Sequence, residues 1–311
     1  MARIWRKKVG LALGGGGARG VSHIGVLQVL EDAQIPIDVI VGTSIGALVG
    51  GAYASGTSPT ELAEKVETFI ASREFQSSVL KSVEAAFAAE EESFLKKVRS
   101  FLKSQFFLIQ MLLRPSILSA SQLESLIDYF IPEMNIEDCR LPFRAVAADL
   151  KSGEPFVFSS GSLRRAILAS SAVPGAIEPI DYDGKLLSDG GIVSPVPVET
   201  ARKEGAQVVI AVPVDRSLPT QEEFKTAKDI FYQASEITCR IVERHELEQA
   251  DIIIRPNVKD LHWSNFSRAL DLIKEGEKAA KESLPEIKTR LSLVSSIIYG
   301  LKRLGGKHHG G

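Results

Sequence analysis

The chain of 311 residues is long enough to bury one large α/β core. Its 44% hydrophobic and 24% charged residues are those of an ordinary globular protein. A formal net charge of −2 provides no general attraction to polyanions, which sets nucleic acid aside as a partner and makes any pull toward an anionic lipid surface a local matter.

In chain order, Arg3, Arg6, Lys7 and Lys8 precede only Val9–Leu13 and then four glycines, too short an apolar run for a secretory signal. No run of about twenty apolar residues follows anywhere, so no membrane-spanning helix is expected. A soluble, cytoplasmic protein is the expectation, with peripheral contact at the inner membrane face left open. Val9–Leu13 reads as a first buried strand and Val21–Ala33 as a helix, through Ile24, Leu27 and Leu30. Asp38–Val41 reads as a second strand and Ala47–Ala54 as the start of a second helix.

The middle of the chain differs. Glu84–Glu92 is rich in Ala and Glu, and Phe94–Leu113 sets apolar residues along one side with Lys96, Lys97, Arg99 and Lys103 on the others. Such a basic amphipathic helix can lie in a lipid interface or act as a lid, or simply face a core. The strand pattern resumes at Phe143–Ala148, Gln207–Val214 and Asp251–Arg255, with helical stretches at Leu163–Ser171, Val198–Glu204 and Phe224–His245. Leu291–Lys307 repeats the amphipathic theme more weakly. Strands alternating with helices predict a three-layer α/β/α fold with a mainly parallel central sheet. One domain over residues 1–290, with an insertion around 75–118 and a basic, apolar tail over 291–311, follows from this. Cys139 and Cys239 have no metal or disulfide spacing and read as buried thiols in a reducing compartment.

Three motifs carry chemistry. Gly42-Thr43-Ser44-Ile45-Gly46 lies between a strand and a helix. A serine on that tight turn holds a strained backbone, points Oγ outward and sits at a helix N-terminus that favours developing negative charge. Gly14-Gly15-Gly16-Gly17-Ala18-Arg19-Gly20 also joins a strand to a helix, and Gly15, Gly17 and Gly20 satisfy G-x-G-x-x-G. It is either a phosphate cradle for a dinucleotide or a set of N–H groups around an oxyanion. The cradle requires an acidic residue closing the second strand. That strand runs instead into Ser44, with Asp38 at its opposite end, which favours the oxyanion reading. The third motif, Asp189-Gly190-Gly191, ends a short apolar strand and would leave a carboxylate at a loop mouth; alone it reads as a turn.

Together with Ala169–Gly175 and Ser22–Leu27, these motifs resemble the patatin-like phospholipase family, over roughly residues 9–215. The resemblance implies a carboxylic ester hydrolase acting on lipid or other acyl esters. Its nucleophile would be Ser44 and its base Asp189, without histidine. Gly15, Gly16 and Gly17 would form the oxyanion hole, Arg19 and Ile45 would contact substrate, and Gly20, Gly42, Gly46, Gly190 and Gly191 would shape the loops. No cofactor and no metal are implied. A Ser44–Asp189–His triad through His245 or His262 is a competing arrangement, and a non-catalytic relative that binds lipid or protein is another.

Overall fold

The structure, a computed structural model, describes residues 6–76, 120–214, 227–258, 261 and 265–292. Its strands are β1 (Val9–Leu13), β2 (Val39–Thr43), β3 (Phe143–Asp149), β4 (Pro155–Phe158), β5 (Ile180–Tyr182), β6 (Lys185–Asp189), β7 (Val208–Val212) and β8 (Ile252–Ile253). Its helices are α1 (Ser22–Asp32), α2 (Ile45–Ser55), α3 (Pro59–Ala71), α4 (Arg73–Gln76), α5 (Ala120–Phe130), α6 (Leu163–Ser170), α7 (Val198–Lys203), α8 (Ala227–Leu247) and α9 (Ala269–Leu291). Hydrogen-bonded neighbours run β5-β6-β3-β2-β1-β7-β8, with β4 also on β3. The pairs among β3, β2, β1, β7 and β8 are parallel, while β4, β5 and β6 join antiparallel.

The apolar runs in β1 and β7 are continuous because both faces of the sheet are covered. Val9, Leu11 and Leu13 enter a core shared with α1, α2, α3, α5, α6 and α9. Ala12, Val209 and Ala211 point the other way, to Val198 and Ala201 of α7 and Leu247 of α8. The fold is thus three-layered, with a mainly parallel centre. Local signals set several boundaries. Ser58 caps α3 by accepting the Glu61 N–H, and Pro59 stands at its first position.

The strand expected over Asp38–Val41 is Val39–Thr43, and that expected over Asp251–Arg255 shrinks to Ile252–Ile253. Strands β4 and β5, and helices α3, α5 and α9, were not anticipated. The two strands, of four and three residues, are too short for an alternating pattern to register. Glu84–Glu92, Phe94–Leu113 and nearly all of Leu291–Lys307 lie outside the described residues. Among the described residues no helix is long and apolar enough to cross a membrane.

Strand β3 positions the site. Its residues 143–146 pair with β2 and 147–149 with β6, while β4 covers Ala145–Ala148 and so overlaps both. A strand has two edges, so β2 and β6 must share the edge that β4 leaves. Thr43 pairs with Val146 and Asp189 with Ala147. Parallel β2 and antiparallel β6 therefore meet C-terminus to C-terminus, one register step apart (about 3.3 Å of strand rise).

Candidate active site

Ser44 follows β2 at that junction and opens α2 with φ 55° and ψ −122°, a positive φ that side-chain-bearing residues rarely adopt. Close backbone approach surrounds it. A Cβ on Gly46 would lie 2.2 Å from the Leu13 carbonyl oxygen, and one on Gly42 would lie 2.4 Å from that of Gly46. Only glycine lets α2 start so close to the end of β1 and to the loop behind it. The turn is tied at Thr43 and at Ser44. The Ser44 N–H donates to Ser170 Oγ at 2.9 Å, and the Ser170 hydroxyl donates to the Val146 carbonyl of β3 at 2.6 Å. The Thr43 hydroxyl donates to the Ser194 carbonyl at 2.8 Å.

Asp189 is 6% exposed, as is Ser44. Its N–H donates to the Ala172 carbonyl at 2.9 Å, and the Ser188 hydroxyl donates to the same oxygen at 2.7 Å. Its Oδ1 accepts the Gly191 N–H at 2.7 Å. Its Oδ2 is buried without a formed hydrogen bond. Burial pushes the carboxyl up to about 6, against the opposing influence of the Ser44 hydroxyl and then the Gly191 N–H. Ser44 and Asp189 stand at the facing ends of β2 and β6. A Cβ on Gly190 would strike the Val146 carbonyl oxygen at 2.2 Å, so this loop lies against β3 where β2 ends.

The glycine loop completes the site unevenly. Gly15 lies beside Ser44, since a Cβ there would be 3.3 Å from Ser44 Cβ. Its N–H, grouped with the oxyanion donors on resemblance, is occupied: it donates to the Pro195 carbonyl at 3.0 Å. The N–H groups of Gly16 and Gly17 have no partner among the described residues. Gly17, at φ 58°, starts a 3-10 turn whose first N–H groups have no acceptor within it. Arg19 Nε donates to the Gly16 carbonyl at 3.0 Å and so braces the loop. Ile45 is half-buried, packed over Gly20 and against the core.

Two histidines, His23 and His245, are among the described residues. His245 is exposed on α8, with Nδ1 3.6 Å from Glu248, and His262 lies outside the described residues. His23 is fully buried and faces the loop: its Nε2 is 2.8 Å from the Gly14 carbonyl. A carbonyl only accepts, so Nε2 carries the proton and Nδ1 is left without a partner. Burial lowers this imidazole to about 4, which keeps it neutral, and the Gly14 carbonyl opposes that fall. His23 therefore supports the loop instead of titrating. Sequence reasoning also passed over Ser170, Ser194 and Glu246, because nothing local marks a serine or glutamate as an anchor.

A family model described as patatin-like phospholipase matches residues 11–202. An uncharacterised NTE family protein of Mycobacterium tuberculosis is 34% identical over 210 residues, covering 68% of this chain and 50% of its own. Human patatin-like phospholipase domain-containing protein 6 is 33% identical over 208 residues, covering 66% of this chain and 13% of its own. The chain thus spans about half the length of the mycobacterial relative. Among solved structures, VipD from Legionella pneumophila aligns with a TM-score of 0.46 at 16% identity, covering 91% of this chain and 67% of that one.

Proposed function

This chain belongs to the patatin-like phospholipase family, and on that premise we propose that it hydrolyses carboxylic esters of (lyso)phospholipids or related acyl lipids, with Ser44 as nucleophile and Asp189 as its base. The observation that carries the proposal is the head-to-head meeting of β2 and β6 on β3. It brings a strained serine and a buried carboxylate to one point, beside a loop whose Gly16 and Gly17 N–H groups have no partner among the described residues.

The chemistry follows from those positions. An ordinary aspartate, near ~3.9, is a weak base for a hydroxyl. Burial narrows the gap by raising Asp189 to about 6. Ser44 Oγ attacks the ester carbonyl as its proton passes to Asp189 Oδ2. The Gly16 and Gly17 N–H groups receive the oxyanion, and the alcohol or lysolipid leaves with the proton. Water, deprotonated by the same carboxylate, then frees the fatty acid from the acyl-enzyme. Gly15 contributes the space beside Ser44. The exposed apolar side chains of Val173 and Ile192, on the two segments flanking Asp189, support an acyl chain as the group accommodated.

The test is hydrolysis of a medium-chain p-nitrophenyl ester and a lysophospholipid by wild type, Ser44→Ala, Asp189→Asn and His262→Ala. The expected result is a loss of at least about 10³-fold in the first two variants, with the third unaffected. Equal loss in His262→Ala would replace the dyad by a triad. An inactive wild type would favour a lipid-binding relative without catalysis.

A further inference from the structure

Of the buried carboxylates not used by the mechanism above, Glu246 lies behind the site. Glu246, on the last turn of α8, is 8% exposed, and both its oxygens hold a single segment. The Ser194 hydroxyl donates to Oε1, and the Val196 N–H donates to Oε2 at 2.9 Å. Two residues of that segment, Ser194 and Pro195, reach the neighbours of Ser44 and the glycine loop through their carbonyls. The Ser194 carbonyl accepts the Thr43 hydroxyl at 2.8 Å, and the Pro195 carbonyl accepts the Gly15 N–H at 3.0 Å. Thr43 immediately precedes the nucleophile, and Gly15 opens the loop proposed to receive the oxyanion.

We propose that Glu246 is a positioning residue for ester hydrolysis, which fixes the Ser194–Val196 segment and through it the distance between Ser44 and the glycine loop. The inference rests on the hydrolase reading given above. Its geometric basis is that one acceptor pair on α8 sets two carbonyl groups, and these two carbonyls are the contacts that tie the turn and the loop to a common support. Desolvation pushes Glu246 up to about 7, and Glu199 at the start of α7 adds to the rise, while the Ser194 hydroxyl and Val196 N–H oppose it. A carboxylate kept in such surroundings costs stability unless it is needed for its two acceptors.

The test compares wild type with Glu246→Ala, Glu246→Gln and Ser194→Ala, measuring kcat and KM on the p-nitrophenyl ester per active site titrated with a fluorophosphonate. Titration removes unfolded protein from the count, so a merely structural role would leave kcat unchanged. Displacement by about 1 Å costs roughly 10²-fold. Glu246→Ala is therefore expected to lose about 10–10²-fold in kcat with KM within about threefold. Glu246→Gln, which can accept the Val196 N–H and donate to the Ser194 hydroxyl, is expected to stay within about threefold of wild type. Ser194→Ala leaves the Glu246 side chain in place and removes one of the two contacts, so it tests the proposal even where Glu246→Ala fails to fold; a fall of about 3–10-fold is expected. Wild-type kcat per titrated site in Glu246→Ala or in Ser194→Ala overturns the proposal, as does an equal loss in Glu246→Gln and Glu246→Ala. Ser44→Ala, run alongside, reports on the hydrolase reading separately: retained turnover there overturns that reading whatever the Glu246 variants do.

Discussion

Ser44 and Asp189 each hold a state that the folded chain must sustain at a cost. The backbone of Ser44, at φ 55° and ψ −122°, is strained by about 1–3 kcal/mol for an L-residue. Glycine relieves that strain, less about 0.5–1 kcal/mol of extra chain entropy. Ser44→Gly should thus unfold at higher urea than Ser44→Ala, although both lack the hydroxyl; identical midpoints would show that the turn is not strained. Asp189, raised to about 6, should confer a falling limb on kcat/KM, with activity dropping about tenfold per pH unit below 6 as the base is protonated. The stability effect has the opposite sign. Its folded value lies above the unfolded ~3.9, so the folded state binds the proton more tightly. Stability from this group is present below about 4 and is lost as pH rises through 6. Asp189→Asn should accordingly melt a few degrees above wild type at pH 8, with the gap closing by pH 4 in a calorimetric series.

At the scale of elements, α2 is held against the end of β1 by an absent side chain. A methyl group on Gly46 would meet the Leu13 carbonyl oxygen at 2.2 Å and the Gly14 carbonyl oxygen at 2.8 Å. Backbone has no rotamer with which to yield, so Gly46→Ala must move the turn away from the loop. One turn further along, a Cβ on Gly50 would meet side chains alone, those of Ile40 at 2.9 Å, Leu13 at 3.2 Å and Phe143 at 3.6 Å, and side chains can shift. Gly46→Ala is expected to reduce kcat by about 10²-fold, and Gly50→Ala to retain turnover within a few-fold; equal behaviour in steady-state assays would remove the special standing of the approach at Gly46. Both motifs were legible in the chain because strand, glycine and helix signals coincide there. The unequal roles of the loop glycines were not, because the Gly15 N–H is claimed by Pro195, a residue with no sequence signature for that contact.

For the molecule as a whole, described elements beyond the matched residues 11–202 share the core of the matched part. Helix α9 crosses α1 with backbone against backbone: a Cβ on Gly276 would lie 1.9 Å from the Ser22 carbonyl oxygen, and one on Gly25 would lie 2.0 Å from that of Ile273. Gly276→Ala should part the two helices and destabilise the protein by about 1–3 kcal/mol in urea titration. Helix α1 carries His23, which supports Gly14, so the last described helix backs the first loop. What the amino-acid sequence determined by itself is local: the strand-glycine-helix order around Gly14–Gly20 and Ser44, the short strand ending at Asp189, and the layered α/β plan. Each follows from short-range sterics and from the periodicity with which apolar residues are buried. Tertiary structure alone decided that β6 runs antiparallel and meets β2 on one edge of β3, that His23 braces and does not titrate, and that Glu246 reaches the Ser194–Val196 segment. Those relations join residues far apart in the chain, and they depend on sheet register and on which buried polar groups find partners once the layers close.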